Sequence, residues 1–365
     1  MKIDRLELTS FRNYGSLQID FEEKTNIFYG NNAQGKTNIL EAIYLSLTTR
    51  SHKKSKDHEM IRFGMDEAHI RVFLEKKGIT RKIDMHLKKR QKKFIAIDGV
   101  PVKKASDLLG LANIIFFSPE DINMIKNGPS ERRRFVDMDL SQLDKLYLSS
   151  LYGYSRALEQ RNKLLKDIAY FKDNSLSDML DIWDEKLIEY GSGIIRKREG
   201  FIGELNEILK EKNRKITGID EELTCVYEPD ATIEEYREKL KKNRYNDIRS
   251  GSTSTGPHRD DINFSLDGVD LRKYGSQGQQ RTASLSVKLS EIELIKNRIN
   301  DAPILLLDDV LSELDNKRQK CLINSIGDIQ TLITCTGLDE FIKNDLVKDN
   351  VFYVENAAVK KKEVV

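Results

Sequence analysis

The stretch that most restricts the possible folds of this chain is GNNAQGKT, residues 30–37, which matches the phosphate-binding pattern G-x-x-x-x-G-K-[ST]. A strand pattern, TNIFYG, leads into it, and a helical apolar stripe, KTNILEAIYLSL, follows it. Gly30 and Gly35 permit the backbone bend that points amide hydrogens at phosphate oxygens, and the helix N-terminus adds positive potential. A chance glycine loop is the competing interpretation, and the strand–loop–helix context disfavours it.

Two segments supply side chains that would act on a nucleotide. Lys36 is placed to reach the β- and γ-phosphates, and Thr37 to ligate magnesium. In PILLLDD, residues 303–309, two acids follow a continuous apolar run, so we expect Asp308 to hold the Mg²⁺ shell and Asp309 to polarise an attacking water. An ordinary buried strand ending in a turn is the alternative. The predicted catalytic residues are thus Asp309 and Lys36, the metal ligands Thr37 and Asp308, and the ATP-binding segment Gly30, Asn31, Asn32, Ala33, Gln34, Gly35, Lys36, Thr37 and Asn38.

The distance between these motifs predicts the domain organisation. Asp308 lies 272 residues after Lys36, so most of the chain is inserted within one nucleotide-binding fold. We predict an α/β head with mixed sheets around the helix after the phosphate loop, built from residues 1–120 and 300–365. Residues 121–299 are predicted to form a mainly helical lobe with a short antiparallel hairpin at about 141–215. A plain helical subdomain is favoured over a dimerising coiled coil.

Periodicity predicts the remaining elements. Alternating patterns indicate strands at 2–8, 17–21 and within 68–117, with short strands at 223–227 and 262–266. TLITCT and NVFYVEN also have strand character, and the final VKKKEVV is expected to be a frayed tail. Ser175 and Asp178 resemble a helix N-cap box.

Composition excludes some classes of protein. With 39% hydrophobic and 33% charged residues the chain can build a core under a charged surface, and its net charge of +2 places any polyanion-binding surface in local clusters. Cys225, Cys321 and Cys335 are widely spaced and form no CxxC, which predicts a reducing compartment and no zinc site. No signal peptide or membrane-spanning run is visible, so we expect a cytoplasmic protein.

A second helix start lies in YGSQGQQR, residues 274–281. Ser276 and Gln279 have the spacing of a capping box, and Gly278 leaves the first-turn amides uncovered. The helix N-terminus is therefore open to an anion. Taken alone, this segment is better interpreted as a capped helix without a ligand.

The order of motifs resembles that of the ABC-type ATPases. SQGQ (276–279) resembles their LSGGQ signature, SELD (312–315) resembles their D-loop, and LELTSFRNYGSLQIDF before the phosphate loop is similar to the SMC/Rad50/RecF branch. FFSPEDINMIKNGPSERRRFVD (116–137) and TGPHRDD (255–261) narrow the resemblance to the RecF family. The resemblance covers nearly the whole chain.

The resemblance implies that ATP is bound between two heads of an ATP-dependent homodimer. Ser276, Gln277, Gly278 and Gln279 would complete the site in trans, and Ser312 and Asp315 would lie at the dimer seam. Arg12 and Asn13 would lie near the adenine or the α-phosphate. The implied function is ATP-dependent DNA binding in recombinational repair and replication restart, at the nucleoid, on double-stranded DNA and gapped or single-stranded junctions, with the mediator proteins RecR and RecO and with no membrane partner. The alternatives are a transporter ATPase subunit and an SMC-like tether.

The chain departs from the family pattern at several positions. Gln277 replaces the first signature glycine, and Asp309 replaces the usual glutamate, which shortens the base by one methylene. Glu120 stands where related heads have a glutamine. No switch histidine follows TLITCT, so Thr336 or a neighbour would substitute, and His258 is at least as consistent with a loop residue as with a catalytic one.

DNA contacts are predicted from clusters of positive charge. Residues 76–104 contain eleven Lys/Arg and two Asp, and a second cluster lies at a predicted helix start. Such clusters suit contacts to the phosphate backbone, although a solvated strand face explains them equally well. The candidates are Lys88, Lys89, Arg90, Lys92, Lys93, Arg132, Arg133 and Arg134.

Overall fold

The structure is a computed structural model that describes residues 1–104, 107–171, 177–337 and 350–362. In chain order its strands are β1 (Lys2–Phe11), β2 (Tyr14–Asp20), β3 (Thr25–Tyr29), β4 (Glu67–Lys76), β5 (Ile79–Lys88), β6 (Phe94–Ile97), β7 (Val100–Pro101), β8 (Ile114–Phe117), β9 (Leu223–Glu228), β10 (Asp261–Leu266), β11 (Val269–Asp270), β12 (Ile304–Asp308), β13 (Thr331–Cys335), β14 (Asn350–Glu355) and β15 (Ala358–Lys362). The α-helices are α1 (Lys36–Thr48), α2 (Ile122–Lys126), α3 (Pro129–Leu143), α4 (Lys145–Phe171), α5 (Ser177–Thr217), α6 (Ile233–Ser250), α7 (Leu271–Tyr274), α8 (Gln277–Ile299) and α9 (Asn316–Ile326).

The chain divides into two compact units. Unit 1 comprises residues 1–121 and 295–365, and unit 2 comprises residues 122–294. Unit 1 is therefore assembled from both ends of the chain, and unit 2 is a continuous insertion between them.

The sheet that carries the phosphate loop is mostly parallel. Its strand order is β15-β14-β3-β13-β12-β8, and only the β14–β15 pair is antiparallel. Ile304, Leu305, Leu306 and Leu307 are fully buried, as the unbroken apolar run of β12 requires of a parallel strand covered on both faces. The strand before the phosphate loop, β3, and the strand before Asp308, β12, are separated by β13. Their carboxyl ends still share one edge of the sheet.

A second sheet in unit 1 is antiparallel, in the order β2-β1-β4-β5-β6-β7. Along β4 exposed and buried residues alternate, so Ala68, Ile70 and Val72 face the core while Glu67 and His69 face outward. One face of the sheet therefore stabilises the unit, and the other carries polar side chains.

Unit 2 contains the predicted helical hairpin, formed by α4 and α5. These helices have 27 and 41 residues, which correspond to about 40 and 60 Å. An apolar stripe holds the two helices together, since Tyr147, Tyr154, Leu187, Phe201 and Leu205 are buried in one core. That core also covers the sheet β11-β10-β9. Ser175 lies outside the described residues.

Two elements differ from the sequence-based expectation. Helix α6 was missed because its segment is highly charged, although Thr232 caps it by accepting from the Glu235 amide and Gly251 ends it at φ 63°. The C-terminal residues through Lys362 form β15 instead of a frayed tail, because Val359 and its neighbours pair with β14. Among the described residues, no helix is long and apolar enough to cross a membrane.

Candidate nucleotide-binding site

The phosphate loop follows β3 directly, and both of its glycines are required by the backbone. Gly30 has φ 150°, and a Cβ there would lie 2.3 Å from the carbonyl oxygen of Val354. Gly35 has φ 110°, and a Cβ there would lie 2.5 Å from Asn13 Nδ2. Since atoms cannot approach that closely, a side chain at either position would distort the loop.

The N-terminus of α1 is free of competing negative charge. Gly35 is its N-cap residue and provides no side-chain hydrogen bond, and the first turn contains no acidic residue. The first amides of a helix lack intrahelical partners and carry positive potential. The loop and the helix start together form a site suited to phosphate.

Lys36 is buried at this helix start, with 7% of its surface exposed. Its Nζ donates to the carbonyl oxygens of Gly30 at 2.6 Å and Asn31 at 2.8 Å. Burial lowers the pKa of Lys36, and the negative charge of Asp309 opposes that shift. The ammonium group is thus desolvated beside the loop.

Asp308 is held by two threonines at the carboxyl edge of the sheet. Thr37 Oγ1 and Thr334 Oγ1 each donate to Asp308 Oδ1 at 2.7 Å. Carboxylate and hydroxyl oxygens are the hard ligands that Mg²⁺ takes, usually with phosphate and water completing its shell. Thr37 and Asp308 therefore supply oxygen ligands of the kind that suits a magnesium ion.

Asp309 occupies a turn directly after β12, with φ 53°. Its amide donates to Thr334 Oγ1 at 3.0 Å, which fixes the residue beside β13. Its Oδ1 is buried and has no hydrogen-bond partner among the described residues. A buried carboxylate oxygen without a donor is costly, so it marks a place where a donor such as water is accommodated.

Arg12 and Asn13 support the loop from the β1–β2 turn. Asn13 Nδ2 donates to the carbonyl of Gln34 at 3.1 Å, and Asn38 Nδ2 donates to Asn13 Oδ1 at 2.8 Å. Arg12 instead forms a two-pronged ion pair with the buried Glu41 of α1, at 2.8 and 2.7 Å. Burial raises the pKa of Glu41, but the hydrogen bonds from Arg12 and Ser51 outweigh it and leave that pKa below its ordinary value.

One supporting contact was not predicted from the sequence. The amide of Asn356, in the β14–β15 turn, donates to Gln34 Oε1 at 2.6 Å. Together with the Val354 carbonyl against Gly30, this turn packs on the phosphate loop. Neither residue type signals the contact, which depends on pairing between β14 and β3.

The predicted capping box at the start of α8 is confirmed. The Ser276 amide donates to Gln279 Oε1 at 2.9 Å, and the Gln279 amide donates to Ser276 Oγ at 3.2 Å. Ser276, Gln277, Gly278 and Gln279 are exposed and belong to unit 2, whereas the phosphate loop belongs to unit 1. The site within unit 1 therefore contains none of these four residues.

Ser312 and Asp315 follow Asp309 in a short 3₁₀ segment and at the start of α9. Ser312 Oγ donates to the Asp309 carbonyl at 2.8 Å. Asp315 is the N-cap of α9, accepts from the Arg318 amide at 3.0 Å, and forms an ion pair with the Arg318 guanidinium. Both side chains are exposed.

Three further residues singled out in the sequence are Glu120, Thr336 and His258. Glu120 is exposed in a 3₁₀ turn after β8, and Thr336 is exposed just after β13. His258 lies in unit 2, where its Nδ1 is 2.7 Å from the Tyr154 hydroxyl and its Nε2 is 3.0 Å from the Thr253 carbonyl. Its partners make it a part of the unit 2 core.

The lysines and the arginine at residues 88–93 differ in exposure and in their ion pairs. Lys89, Arg90 and Lys92 are exposed in the β5–β6 loop. Lys89 also lies 3.1 Å from Asp66 and Lys88 lies 3.7 Å from Glu67, but both of these pairs are solvent-exposed, whereas Lys93 forms a partly buried ion pair with Asp57.

The second cluster is largely structural. Arg132 is buried and forms a two-pronged ion pair with Asp261, at 2.6 and 2.9 Å. Arg133 donates to the Asp260 carbonyl at 2.6 Å, and burial lowers its pKa. Arg134 is half-buried on the same helix. We therefore remove Arg132 and Arg133 from the candidate DNA surface, because their guanidinium groups already have partners within unit 2.

The fold and the phosphate site define a P-loop ATPase head of the ABC type. Two Smc head structures, one of them from Pyrococcus furiosus, share this fold at TM-scores of 0.57 and at 17% and 15% identity. Residues 2–359 match the model of the RecF/RecN/SMC N terminal domain family. The chain belongs to this family.

Two relatives and one solved structure that are more similar to the chain carry the name RecF. A protein from Agathobacter rectalis named DNA replication and repair protein RecF is 58% identical over 359 residues, covering 98% of this chain and 99% of its own length. A protein of the same name from Clostridium botulinum is 42% identical over 99% of this chain and 100% of its own length. A solved structure, described as the recombination mediator protein RecF-ATPrS in the RecFOR pathway, is 35% identical with a TM-score of 0.92, and the match covers 99% of this chain and 98% of that one.

Proposed function

We propose that this protein is an ATP-dependent DNA-binding protein of recombinational repair and replication restart. Its ATP-bound form is a head-to-head homodimer on DNA, and slow hydrolysis releases it. It acts in the cytoplasm at the nucleoid, with RecR and RecO, and assists recombinase loading at gaps. The observation that carries the proposal is the convergence of Lys36, Thr37, Asp308 and Asp309 at one sheet edge.

Within one head, each of these residues has a distinct role. Lys36 exchanges its two loop carbonyls for β- and γ-phosphate oxygens, which are stronger acceptors. Thr37 and Asp308 would hold Mg²⁺, which would neutralise phosphate charge. The free Oδ1 of Asp309 accepts a hydrogen bond from a water and orients it toward the γ-phosphate. The shorter side chain of aspartate suits a slow reaction.

The second half of the site comes from another copy of the chain. The start of α8 is exposed, capped and open over Gly278, where the nearest non-neighbouring atom to a Cβ would be Ser276 Oγ at 3.9 Å. Its amides suit a γ-phosphate that is already bound to the loop of a partner. Ser312 and Asp315 lie at the seam between the two copies.

Dimerisation is tested by light scattering with and without Mg²⁺-ATP. The single chain has a mass of 42.1 kDa, and we expect the mass to double when ATP is added. Lys36→Met, which removes the phosphate contact, is expected to remain monomeric. A mass that does not respond to ATP would contradict the proposal.

Completion of the site in trans is tested by mixing two inactive variants. Lys36→Met and Ser276→Arg each disable one half of every composite site. A mixture of the two contains heterodimers with one intact site, so we expect part of the hydrolysis to return. If the mixture is as inactive as its components, the signature segment does not act on a partner's nucleotide.

DNA binding is assigned to a surface wider than the sequence indicated. Lys93 Nζ donates to the Thr49 carbonyl at 2.6 Å and to Asp57 at 2.9 Å, so the β5–β6 loop lies beside residues 49–57. That neighbouring segment adds four exposed cations, Arg50, Lys53, Lys54 and Lys56. The proposed DNA surface consists of Arg50, Lys53, Lys54, Lys56, Lys89, Arg90 and Lys92.

The salt dependence of duplex binding tests this surface. Each phosphate contact contributes about 0.9 to the slope of log affinity against log salt, so Lys89→Ala with Arg90→Ala and Lys92→Ala is expected to lower the slope by about 2–3. Lys241→Ala with Lys242→Ala, two exposed lysines of α6, is the matched control and leaves it unchanged. An unaltered slope in the triple variant would remove this loop from the DNA surface.

A further inference from the structure

The outer face of the antiparallel sheet carries two histidines and a glutamate that have no part in the nucleotide site. His69 of β4 is directly opposite His86 of β5 in the strand register. Glu67 precedes His69 by two residues and therefore lies on the same face, whereas Ala68 and Ile70 are buried on the other face. The sheet itself thus fixes the three side chains close together.

The potential ligand atoms are already near the spacing that a metal requires. Glu67 Oε2 is 3.1 Å from His86 Nε2, and one ligand atom from each of the three residues lies within 4.8 Å of the others. The two imidazole rings are stacked with centroids 3.7 Å apart. Ligands about 2.0–2.1 Å from a tetrahedral Zn²⁺ are roughly 3.3 Å from one another. The ligand atoms would therefore approach by up to about 1.5 Å, and the stacked rings would turn to aim their nitrogens at one point.

The protonation states also suit metal binding. Partial burial and the neighbouring His86 lower the pKa of His69, which favours the neutral imidazole that binds metals. The hydrogen bond from His86 lowers the pKa of Glu67, which keeps the carboxylate ionised. A competing cation is present, since Lys88 Nζ is 3.7 Å from Glu67 Oε2, but its flexible, exposed side chain can move away.

Contrary to the expectation of no zinc site, which rested on the cysteines alone, we propose that Glu67, His69 and His86 form a surface site for one Zn²⁺ ion, with the fourth coordination position left to water. Two imidazoles and one carboxylate favour zinc over magnesium, which prefers oxygen ligands alone. The site is therefore chemically distinct from Thr37 and Asp308, and it does not depend on the proposed ATPase function. It would add a divalent cation near the start of β4 and the end of β5, next to the β5–β6 loop, which is rich in Lys and Arg.

Calorimetric titration of the full chain with Zn²⁺, in saturating Mg²⁺ and a non-thiol reductant, tests the site. We expect one zinc per chain, and an affinity at least about tenfold weaker in His86→Gln and in His69→Gln, each of which removes one ligand. His58→Gln alters an exposed histidine outside the cluster and is expected to bind zinc as the unmodified chain does. Circular dichroism melts verify that all three variants are folded.

A spectroscopic readout separates this site from other zinc-binding groups. Co²⁺ substituted at a nitrogen–oxygen site gives weak visible absorption without the strong thiolate charge-transfer band that Cys321 would produce. We expect that spectrum in the unmodified chain and its loss in His86→Gln. Equal zinc affinity in His86→Gln and His58→Gln, or no binding up to about 1 mM Zn²⁺, would overturn the proposal.

Discussion

Two buried cations, Lys36 in unit 1 and Arg198 in unit 2, have contrasting surroundings. Arg198 is 2% exposed and donates to Asp137 at 2.9 Å, to Asp260 at 2.9 Å and to the Pro257 carbonyl at 2.7 Å. Lys36 is nearly as buried, but its hydrogen-bond acceptors are two carbonyls of its own loop. Among the described residues, Arg198 thus donates hydrogen bonds to carboxylates of the fold, whereas Lys36 donates only to carbonyls and has carboxylates nearby without a hydrogen bond to them.

This difference in hydrogen-bond acceptors distinguishes cations that stabilise the core from a cation that is a candidate for ligand binding. Arg161 repeats the pattern of Arg198, because Asp184 and Asp247 accept from it at 2.6 and 2.8 Å while all three residues are buried. A buried ion that is paired with buried carboxylates is a fixed part of the core, and removing one partner leaves the other uncompensated. In the described part of the chain, Lys36 has no carboxylate among its hydrogen-bond acceptors, which is consistent with the phosphate contact proposed for it.

The largest expected effect is a loss of stability when Arg198 is removed from its ion pairs. Arg198→Met leaves the carboxylates of Asp137 and Asp260 without their shared cation, so we expect a loss of about 3–5 kcal/mol in the free energy of unfolding. Urea unfolding followed by the fluorescence of Trp183, the only tryptophan of the chain, measures it in unit 2. Arg196→Met, an exposed arginine of the same helix, is the control and should change stability by less than about 0.5 kcal/mol. Equal stability of the two variants would show that the network is not structural.

Substitution of Lys36 is expected to change ATP turnover and to leave thermal stability undiminished. Lys36→Met is expected to reduce ATP turnover by at least about 100-fold, or about 2.7 kcal/mol, because it removes a phosphate contact in the transition state. The thermal unfolding temperature is expected not to fall, because a desolvated charge has been removed. Phosphate release and a melting curve measure the two effects, with the exposed Lys24→Met as control. If Lys36→Met retained ATP turnover but lost stability, Lys36 would have a structural role like that of Arg198.

A smaller effect distinguishes two helix caps of the same kind. Ser276→Ala and Thr232→Ala each remove a side-chain N-cap in unit 2, so each is expected to cost about 1 kcal/mol in unfolding monitored by Trp183. Only Ser276→Ala is expected also to lower ATP turnover, because α8 begins in the signature segment and α6 does not. Equal turnover in the two variants would leave Ser276 with a purely structural role.

The smallest effect is a pH dependence. Because burial lowers the pKa of Lys36, the folded chain releases this proton at lower pH than the unfolded chain. Between the two pKa values the unfolded state binds more protons, so stability rises with pH there, and the full penalty applies below the folded pKa. The stability advantage of Lys36→Met over the unmodified chain is therefore expected to shrink between pH 7 and pH 10.5. Paired melts across that range measure it, and an advantage that grows with pH would contradict it.

The sequence predicts the parts of the fold that have strong local signals. The phosphate loop, the buried strand before Asp308, the apolar stripes of the hairpin and the capping box at Ser276 all follow from spacing and residue type. Helix α6 was missed because only Tyr236, Leu240 and Asp247 of its 18 residues are buried. Its capping threonine and terminal glycine were the available signals.

The contacts that complete the site depend on tertiary pairing and could not be predicted locally. The Asn356 amide reaches Gln34 because β14 pairs with β3, more than 300 residues earlier in the chain. The role of Arg132 was misjudged because an arginine run looks the same whether it is exposed or paired with Asp261. Spacing also did not reveal that β13 separates β3 from β12.

The position of β3 also sets the order in which the chain can fold during its synthesis. Both neighbours of β3 in the sheet, β13 and β14, begin at residues 331 and 350. At about 5–20 residues per second, the ribosome delivers β13 about 15–60 s after β3. The contiguous sequence of unit 2 is complete within that interval. The ATP-binding half is therefore the last to fold, and a chain that terminates before residue 331 contains every residue of the phosphate loop but lacks the sheet that shapes it.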